Sequence, residues 1–358
     1  MSQALFEPIT LRGLEIRNRI WVPPMCQYAV TKCDGIPAQW HLLHLASFAR
    51  GGAGAILVEA TGIVPEGRIS LHDLGLWNDE QTEAFKPITG LVQSLGAKIG
   101  IQLAHAGRKA SVYPEWGTDG EGSLPFMEGG WQTVAPSAIS YPGLAEPEAL
   151  DYSGIQSIVE AFAKSAARAV EAGFDMVEIH AAHGYLIHEF LSPLSNERRD
   201  NYGGSLENRS RFLLEIVDAV RGRIGENVPL LVRLSATDWV QGGVTIEETT
   251  QLVKWLAERG VDLADISTGA NVPAKIPVGP GYQVPFATAV KEATGMPVAA
   301  VGMIKNALQA EHIASTGLAD VVMIGREFLR DANFGLNAAE SLAVELPYRP
   351  RPYLRAYR

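Results

Sequence analysis

Two histidines and a tyrosine stand close together in the segment His180-Ala-Ala-His183-Gly-Tyr185. Imidazole N–H groups that converge on one oxygen stabilise the negative charge that develops on a carbonyl as it becomes an enolate. A nearby tyrosine hydroxyl can supply a proton. The same pair could instead bind a metal ion, with His188 or Glu189 as a third ligand, or form a satisfied polar cluster. The spacing alone leaves these three interpretations open.

Eight short apolar runs alternate with helical patterns, and they are the elements that would position these residues. The runs are Arg19–Val22, Ala55–Glu59, Lys98–Leu103, Met176–His180, Leu230–Leu234, Leu263–Ile266, Val298–Val301 and Val321–Ile324. Apolar residues recur at three-and-four spacing in Ile155–Ala172, Arg209–Ile224, Ile246–Arg259 and Ala307–Thr316. Strands that alternate with helices predict parallel strands joined by helical crossovers.

Two α/β architectures fit this alternation, a doubly wound open sheet and a closed (β/α)8 TIM barrel. Eight units over about 300 residues favour the barrel. The open sheet would carry a Gly-x-Gly-x-x-Gly turn after its first strand. This chain continues instead with Val22-Pro23-Pro24-Met25-Cys26, which is incompatible with that turn. We therefore predict a TIM barrel.

One connection is much longer than the others. About 50 residues rich in Gly, Pro, Trp and Ser separate the third strand from the helix at Ile155, and long loops of this kind are often functional. The segment follows the carboxyl end of a strand, where barrel enzymes carry their sites. We predict a capping segment at about 104–152 within a single domain, 1–358, that ends in a tail at about 346–358.

Polar residues and glycines follow most strand ends, and in a barrel such positions are typical of catalytic or binding residues. They are Pro24, Met25, Cys26 and Tyr28 after the first strand, Ala60 after the second, Gln102 and Arg233 near the ends of the third and fifth, and Gly302, Gly325 and Arg326 after the last two. Glycines at the last two ends let backbone N–H groups approach a phosphate, to which Arg326 would add a charged contact. They could equally make tight turns only, with Arg326 on the surface.

Gln102 and Arg233 would lie deep in an apolar barrel, where buried polar groups need partners. A planar polar cofactor would satisfy both, and a cation stabilises the negative charge of a reduced flavin. An internal salt bridge from Arg233 to Glu59 is the alternative. Cys26 also has two interpretations, a nucleophile or a polarisable neighbour of a redox ring.

The composition of the 358 residues excludes some classes of protein. A net charge of −10 argues against a nucleic-acid partner, since the phosphate backbone needs a basic surface. The two cysteines, Cys26 and Cys33, are too few for a secreted disulfide framework. No signal peptide is evident, and no apolar run approaches the roughly 20 residues that span a bilayer. We expect a cytoplasmic protein with no membrane partner.

The candidate residues lie within longer motifs that span the chain. They are Phe6-Glu-Pro8, Pro24-Met-Cys-Gln-Tyr28, Gln102-Leu-Ala-His-Ala-Gly-Arg-Lys109, Glu178-Ile-His-Ala-Ala-His-Gly-Tyr-Leu186, Phe190-Leu-Ser-Pro-Leu-Ser-Asn196 with Arg198, Tyr202-Gly-Gly-Ser205, Asn208-Arg209, Val301-Gly-Met303 and Ile324-Gly-Arg326. Together they resemble the Old Yellow Enzyme family of flavin mononucleotide (FMN) ene-reductases. The resemblance is to the bacterial class of YqjM-type and xenobiotic-reductase enzymes, because Cys26 stands where the other branch usually has threonine.

The resemblance implies an FMN site at the barrel mouth. The flavin ring would be lined by Pro24, Met25, Cys26 and Ala60, its pyrimidine edge bound by Gln102 and Arg233, and its phosphate held by Gly302, Gly325 and Arg326. His180 and His183 would bind the substrate's carbonyl oxygen, Tyr185 would donate a proton, and Tyr28 would help bind substrate. Cys26 would tune the flavin potential. No metal is implied.

The activity implied is reduction of the activated C=C bond of α,β-unsaturated carbonyl or nitro compounds, with NADPH or NADH as hydride donor. The resemblance also implies a homodimer or homotetramer in which the tail enters the active site of the neighbouring subunit. Arg355 and Tyr357 would do so here, the latter in place of a frequent tryptophan. Two further hypotheses are a flavin-binding redox sensor without turnover and a metal-dependent barrel lyase. Two cysteines and 358 residues argue against an added iron–sulfur cluster and second flavin domain.

Overall fold

A computed structural model describes residues 3–117 and 120–357, with the backbone alone at Tyr357. Within these residues, eight parallel strands close into a barrel. They are β1 (Ile20–Val22), β2 (Ala55–Gly62), β3 (Lys98–Ala104), β4 (Met176–Ala181), β5 (Leu230–Ser235), β6 (Leu263–Ser267), β7 (Val298–Ala300) and β8 (Val321–Met323). The barrel closes where Val322 and Met323 of β8 pair with Ile20 and Trp21 of β1. The predicted (β/α)8 fold is confirmed.

Helices follow the strands and cover the outside of the barrel. Those in the described residues are α1 (Gln39–Arg50), α2 (Asp79–Ser94), α3 (Tyr152–Glu171), α4 (Leu186–Leu191), α5 (Leu206–Ile224), α6 (Ile246–Glu258), α7 (Val284–Thr294), α8 (Ala307–Ser315), α9 (Arg326–Arg330) and α10 (Phe334–Ser341). The side chains of Asp151, Ser205 and Thr245 accept backbone N–H groups at the starts of α3, α5 and α6. Such caps satisfy N–H groups that have no partner within the helix. None of the helices in the described part of the chain combines the length and apolar character needed to cross a membrane.

Strand β2 differs most from the sequence prediction, because it continues to Gly62 rather than ending at Glu59. Its pairing with β3 shifts register between Val58 and Thr61. An irregularity of this kind turns the strand locally and re-aims the side chains beside it. The irregularity therefore changes the direction in which the Glu59 side chain points.

The amino end of the barrel is closed by packed side chains. Trp21, Leu57, Met176 and Leu231 meet there at 1% exposure or less. A short antiparallel pair, Ile9–Leu11 with Leu14–Ile16, packs its buried residues into the same cluster. Since this end is filled, a ligand can reach the barrel only from the carboxyl ends of the strands.

Among its described residues, the segment between β3 and α3 contains turns, two short 3-10 helices (Gly107–Lys109 and Phe126–Glu128) and a very short strand pair, Val134–Ala135 with Glu148–Ala149. Trp116 anchors it on the loop after β1, because its Nε1 donates to the carbonyl of Gln27 at 3.3 Å. The Trp116 ring also contacts Tyr28 edge-on, with centroids 6.2 Å apart, and stacks on His72 at 6.0 Å. The capping segment and the β1 loop are therefore bound to each other.

The chain ends in a 3-10 helix, Arg351–Tyr357, that lies at the surface. The guanidinium of Arg50 lies 5.6 Å from the centre of the Tyr353 ring, so the tail lies beside α1. Arg355 is exposed, and the Tyr357 side chain lies outside the part of the chain that the structure describes.

Candidate active site

The histidine pair is placed by the end of β4 and the turn that follows it. His180 lies within β4, whereas His183 and Gly184 both adopt left-handed backbone conformations, with φ of 60° and 71°. A Cβ on Gly184 would lie 2.3 Å from the carbonyl oxygen of Ala270, so only glycine fits there. The two left-handed residues turn the chain sharply and bring His183 back beside His180.

The His183 backbone is held from both sides. Its N–H donates to Ser235 Oγ at 3.0 Å, and its carbonyl accepts from Lys109 Nζ at 2.8 Å. Burial lowers the pKa of Lys109 to about 8. No role for Lys109 follows from the sequence, although a lysine in the turn that follows a buried strand is a signal for a site residue. These contacts stabilise a backbone conformation that a non-glycine residue seldom adopts.

The two imidazole rings meet at nearly a right angle. Nε2 of His180 lies 3.3 Å from Nδ1 of His183. The N–H of Ala182 donates to Nδ1 of His180, which leaves the proton of a neutral ring on Nε2. Burial, and next to it the charge of Arg233, lowers the pKa of both histidines well below the usual value. Nε2 of His180 therefore donates to Nδ1 of His183, and the proton of a neutral His183 lies on its Nε2, 2.7 Å from Ser267 Oγ.

The structure does not supply this pair with the third ligand that a metal site would need. His188 accepts the N–H of Gly184 at its Nδ1, and its Nε2 lies 3.0 Å from Asp238. Glu189 accepts the N–H of Arg108 at 2.9 Å. Across residues 3–117 and 120–357, no group of three or more His, Cys, Asp or Glu side chains is arranged to hold a metal ion.

Tyr185 immediately precedes α4, and its ring packs edge-on against His180 with centroids 5.0 Å apart. Burial, followed by the neighbouring Cys26 and Glu115, raises the pKa of the Tyr185 phenol well above its usual value. The group is a phenol at neutral pH and can donate a proton beside the histidine pair. A cavity of about 380 Å³ under the capping segment is lined by Tyr185, Lys109 and Tyr141 among others.

Cys26, Tyr28, Ala60 and Tyr185 pack into one cluster above the barrel. Burial raises the pKa of the Cys26 thiol well above its usual value, and the charges of Asp73 and Glu59 add to this, while a hydrogen bond from the backbone of Ala60 opposes it. A thiol held in its neutral form is a poor nucleophile. Of the two interpretations of Cys26, the raised pKa argues against the nucleophile.

The floor of the site consists of two cross-strand pairs. Gln102 Nε2 donates to Glu178 Oε1 at 2.8 Å, and Arg233 Nε lies 3.0 Å from Asp265 Oδ2. Both pairs are also register partners in the barrel. The suggested salt bridge from Arg233 to Glu59 is therefore wrong, because Glu59 turns at the β2 irregularity to bind His41.

Glu178 and Asp265 are site residues that the sequence analysis missed. Each lies two residues before a polar residue on the same strand face, His180 and Ser267 respectively, and this alternation is the signal that could have revealed them. Burial, and next to it the charge of Asp265, raises the pKa of Glu178 to about 8. Its Oε2 has no hydrogen-bond partner among the described residues, so the floor keeps polar capacity for a planar ligand.

A second cavity, of about 280 Å³, opens between the ends of β7 and β8 and the loop after β1. It brings together six predicted site residues, Pro24, Met25, Arg233, Gly302, Gly325 and Arg326. Lys305 and Arg330 add two more cations to its lining. Gly302 has a φ of 120°, and a Cβ there would lie 2.9 Å from the Gln283 side chain. An open glycine backbone surrounded by cations fits a phosphate group.

Comparison with known proteins agrees with this geometry. The model of the NADH:flavin oxidoreductase / NADH oxidase family matches residues 4–345. NADPH dehydrogenase of Geobacillus thermodenitrificans is 47% identical over 359 residues, which cover 100% of both chains. Morphinone reductase superposes with a TM-score of 0.79 at 30% identity, over 96% of this chain and 90% of that one. A 2-naphthoyl-CoA reductase superposes with a TM-score of 0.86 at 26% identity, and this chain spans 53% of its length.

These similarities cover the barrel, the capping segment and most of the tail. They confirm the resemblance to Old Yellow Enzymes that the motifs indicated. The glycines and cations of the 280 Å³ cavity and the free oxygen of Glu178 on the floor fit the chemistry of the cofactor that this family uses. The chain belongs to the NADH:flavin oxidoreductase / NADH oxidase family and is an NAD(P)H-dependent flavin oxidoreductase with FMN as its cofactor.

Proposed function

We propose that this protein is an ene-reductase, which reduces the activated C=C bond of α,β-unsaturated carbonyl or nitro compounds with electrons from NADPH or NADH. The observation that carries the proposal is the pair of neutral imidazoles whose Nε2 and Nδ1 atoms lie 3.3 Å apart beside the Tyr185 phenol. A substrate oxygen that replaces the contact between the rings would accept from His180 Nε2, and from His183 once its proton lies on Nδ1, and the two hydrogen bonds would stabilise the enolate charge that forms during reduction.

Each residue of the site has a separate role in this reaction. His180 and His183 bind and polarise the carbonyl or nitro oxygen, and Tyr185 donates a proton to the α-carbon. Tyr28 forms one wall of the substrate site. FMN, when bound, supplies the hydride that reaches the β-carbon. On the barrel floor Arg233 pairs with Asp265, and burial raises the pKa of Glu178 to about 8.

FMN would be held by residues from six strand ends. Its ring would lie on Pro24, Met25, Cys26 and Ala60, its pyrimidine edge would face Gln102 and Arg233, and its phosphate would meet Gly302, Gly325 and Arg326. The fit rests on the glycine backbone, the cations of the 280 Å³ cavity and the unfilled polar capacity of the floor. Two free cysteines suit the reducing cytoplasm, where we place the protein.

We also propose that the protein forms a homodimer or homotetramer in which Arg355 and Tyr357 complete the neighbouring substrate site. The tail lies beside α1, on which Trp40 and Leu43 are 50% and 68% exposed. Exposed apolar side chains of this size often mark contacts between proteins. Light scattering should give more than one chain per particle, and Arg355→Ala should raise KM for the alkene. A monomer would overturn this part.

The activity is tested by two spectra of the purified protein. Anaerobic NADPH should bleach the flavin absorbance, and 2-cyclohexenone should then restore it. Bound FMN without enone-dependent oxidation of NADPH would overturn the ene-reductase and favour the redox sensor. Stoichiometric zinc or iron in a colourless protein would favour the metal-dependent lyase.

A further inference from the structure

Glu59 is a buried acid that the proposed chemistry does not use. It lies at the register shift of β2, is 5% exposed and points between β1 and α1. A small cavity there is lined by Met25, Gln27, His41 and Glu59 among others. A carboxylate placed in such surroundings is costly unless both oxygens receive hydrogen bonds. The donors of those hydrogen bonds therefore indicate the role of Glu59.

Both oxygens of Glu59 are bound. Oε1 lies 3.1 Å from His41 Nε2, and Oε2 accepts the backbone N–H of Gln27. The N–H of Ala38 donates to His41 Nδ1 at 2.9 Å, which places the proton of a neutral His41 on Nε2 and directs it at the carboxylate. Helix α1 thus fixes His41, His41 fixes Glu59, and Glu59 holds the peptide that joins Cys26 to Gln27.

The same peptide region is tied down from other directions. The Gln27 side chain donates from Nε2 to the carbonyl of Met25 at 2.8 Å and accepts from Trp40 Nε1 at 3.2 Å. Ala60, next to Glu59 on the irregular strand, donates its N–H to the Cys26 sulfur and packs in the same cluster. The position of the Cys26 thiol is therefore set by Glu59 and Ala60 together, one through the backbone and one through the sulfur.

We propose that Glu59, oriented by His41, is a positioning residue that fixes the Cys26 thiol against the flavin and thereby sets the reduction potential of bound FMN. The inference rests on the proposed placement of Cys26 at the flavin ring. Glu59 acts through the Gln27 N–H and not by contact with the cofactor. Loss of either Glu59 or His41 should consequently release Cys26.

The test is a double-mutant cycle on the FMN-loaded protein, read as the midpoint potential of the flavin. Glu59→Gln should shift the potential, because an amide cannot accept from both Gln27 and His41. Cys26→Ala should also shift it, and adding Glu59→Gln to Cys26→Ala should cause no further shift. An equal shift with and without Cys26 would overturn the proposal, as would no shift at all.

His41 offers a matched pair of variants that leave the carboxylate in place. His41→Gln keeps an N–H donor and should leave the potential near that of the unaltered protein, whereas His41→Leu should reproduce the Glu59→Gln shift. The same potential for both His41 variants would contradict the role of His41. These measurements need no alkene. A protein that does not turn over enones but shows the expected potentials in the mutant cycle would support the role of Glu59 and contradict the ene-reductase activity.

Discussion

Nε2 of His180 lies 3.3 Å from Nδ1 of His183, and the proton of His180 is directed at that nitrogen because the N–H of Ala182 donates to His180 Nδ1. An oxygen that approaches both nitrogens would take the His180 proton from this contact and would meet a second donor once His183 carries its proton on Nδ1. The rings carry no charge to be neutralised, since burial lowers the pKa of both. The affinity for an oxygen ligand should therefore reflect hydrogen bonding from two donors.

Replacement of both histidines by alanine should abolish this binding. Two hydrogen bonds to a charged oxygen are worth about 3 kcal/mol or more, so the affinity for p-hydroxybenzaldehyde should fall by at least about 100-fold. Titration should show loss of the charge-transfer band while FMN stays bound. His312→Ala, an exposed histidine on α8, serves as the control. An unchanged affinity for p-hydroxybenzaldehyde in the double variant would contradict the role of the two histidines in binding the substrate oxygen.

Tyr185→Phe should separate the two half-reactions. The proton is needed only when the alkene is reduced, so reoxidation of the flavin by an enone should slow by about 10²–10⁴-fold. Reduction by NADPH should stay close to normal, and stopped-flow absorbance measures both steps. Tyr141→Phe changes a second phenol that lines the same cavity and should leave both rates largely intact. Equal slowing of both half-reactions by Tyr185→Phe would refute the proton-donor role.

Gly302→Ala should weaken FMN binding. The added Cβ would lie 2.9 Å from the Gln283 side chain, at a backbone φ of 120° that alanine rarely adopts. Release of FMN fluorescence on dilution should report the loss. Gly317→Ala is the matched control, because Gly317 also has a positive φ, 73°, but a Cβ there meets open space. If both variants retain FMN equally, the cavity at the end of β7 is not the cofactor site.

Glu189 should make the protein less stable as pH rises. Burial raises the pKa of this carboxyl to about 8, so the protonated form is favoured by folding. Its contribution is fully present below the usual carboxyl pKa and is lost as pH passes through about 8, by at most about 1.4 kcal/mol per pH unit. Glu189→Gln should remove part of that loss, and Tm of variant and parent should be compared at pH 5 and 8.5. A Tm difference independent of pH would contradict the assignment.

The barrel could be predicted because each unit carries its signal locally. Runs such as Ala55–Glu59 are apolar over a length that fits a buried strand, and the helix at Ile155 shows its own periodicity. The residues at the strand ends followed from the fold, and the cavity between β7 and β8 brings Gly302, Gly325 and Arg326 together as expected. Their roles toward FMN and substrate remain predictions.

The partners of buried charges could not be predicted in the same way. Arg233 pairs with Asp265 because β5 and β6 align in one particular register, which no local pattern reveals. Glu59 is acidic and was therefore a reasonable partner for Arg233 from the sequence. Only the irregularity of β2 turns its side chain toward His41. Contacts between distant segments depend on register and strand irregularity, whereas elements depend on neighbours in sequence.

The bond from Trp116 to the carbonyl of Gln27 bears on how this enzyme could diversify. The loop that roofs the substrate cavity is often regarded as an exchangeable module of a barrel enzyme. Here it is fastened, through Gln27, to the same peptide region that carries Cys26. A graft of the capping segment from a relative would disturb the Cys26 thiol unless the β1 loop were transplanted with it. With Cys26 at the flavin ring as proposed, a change in this loop would alter substrate range and redox behaviour together.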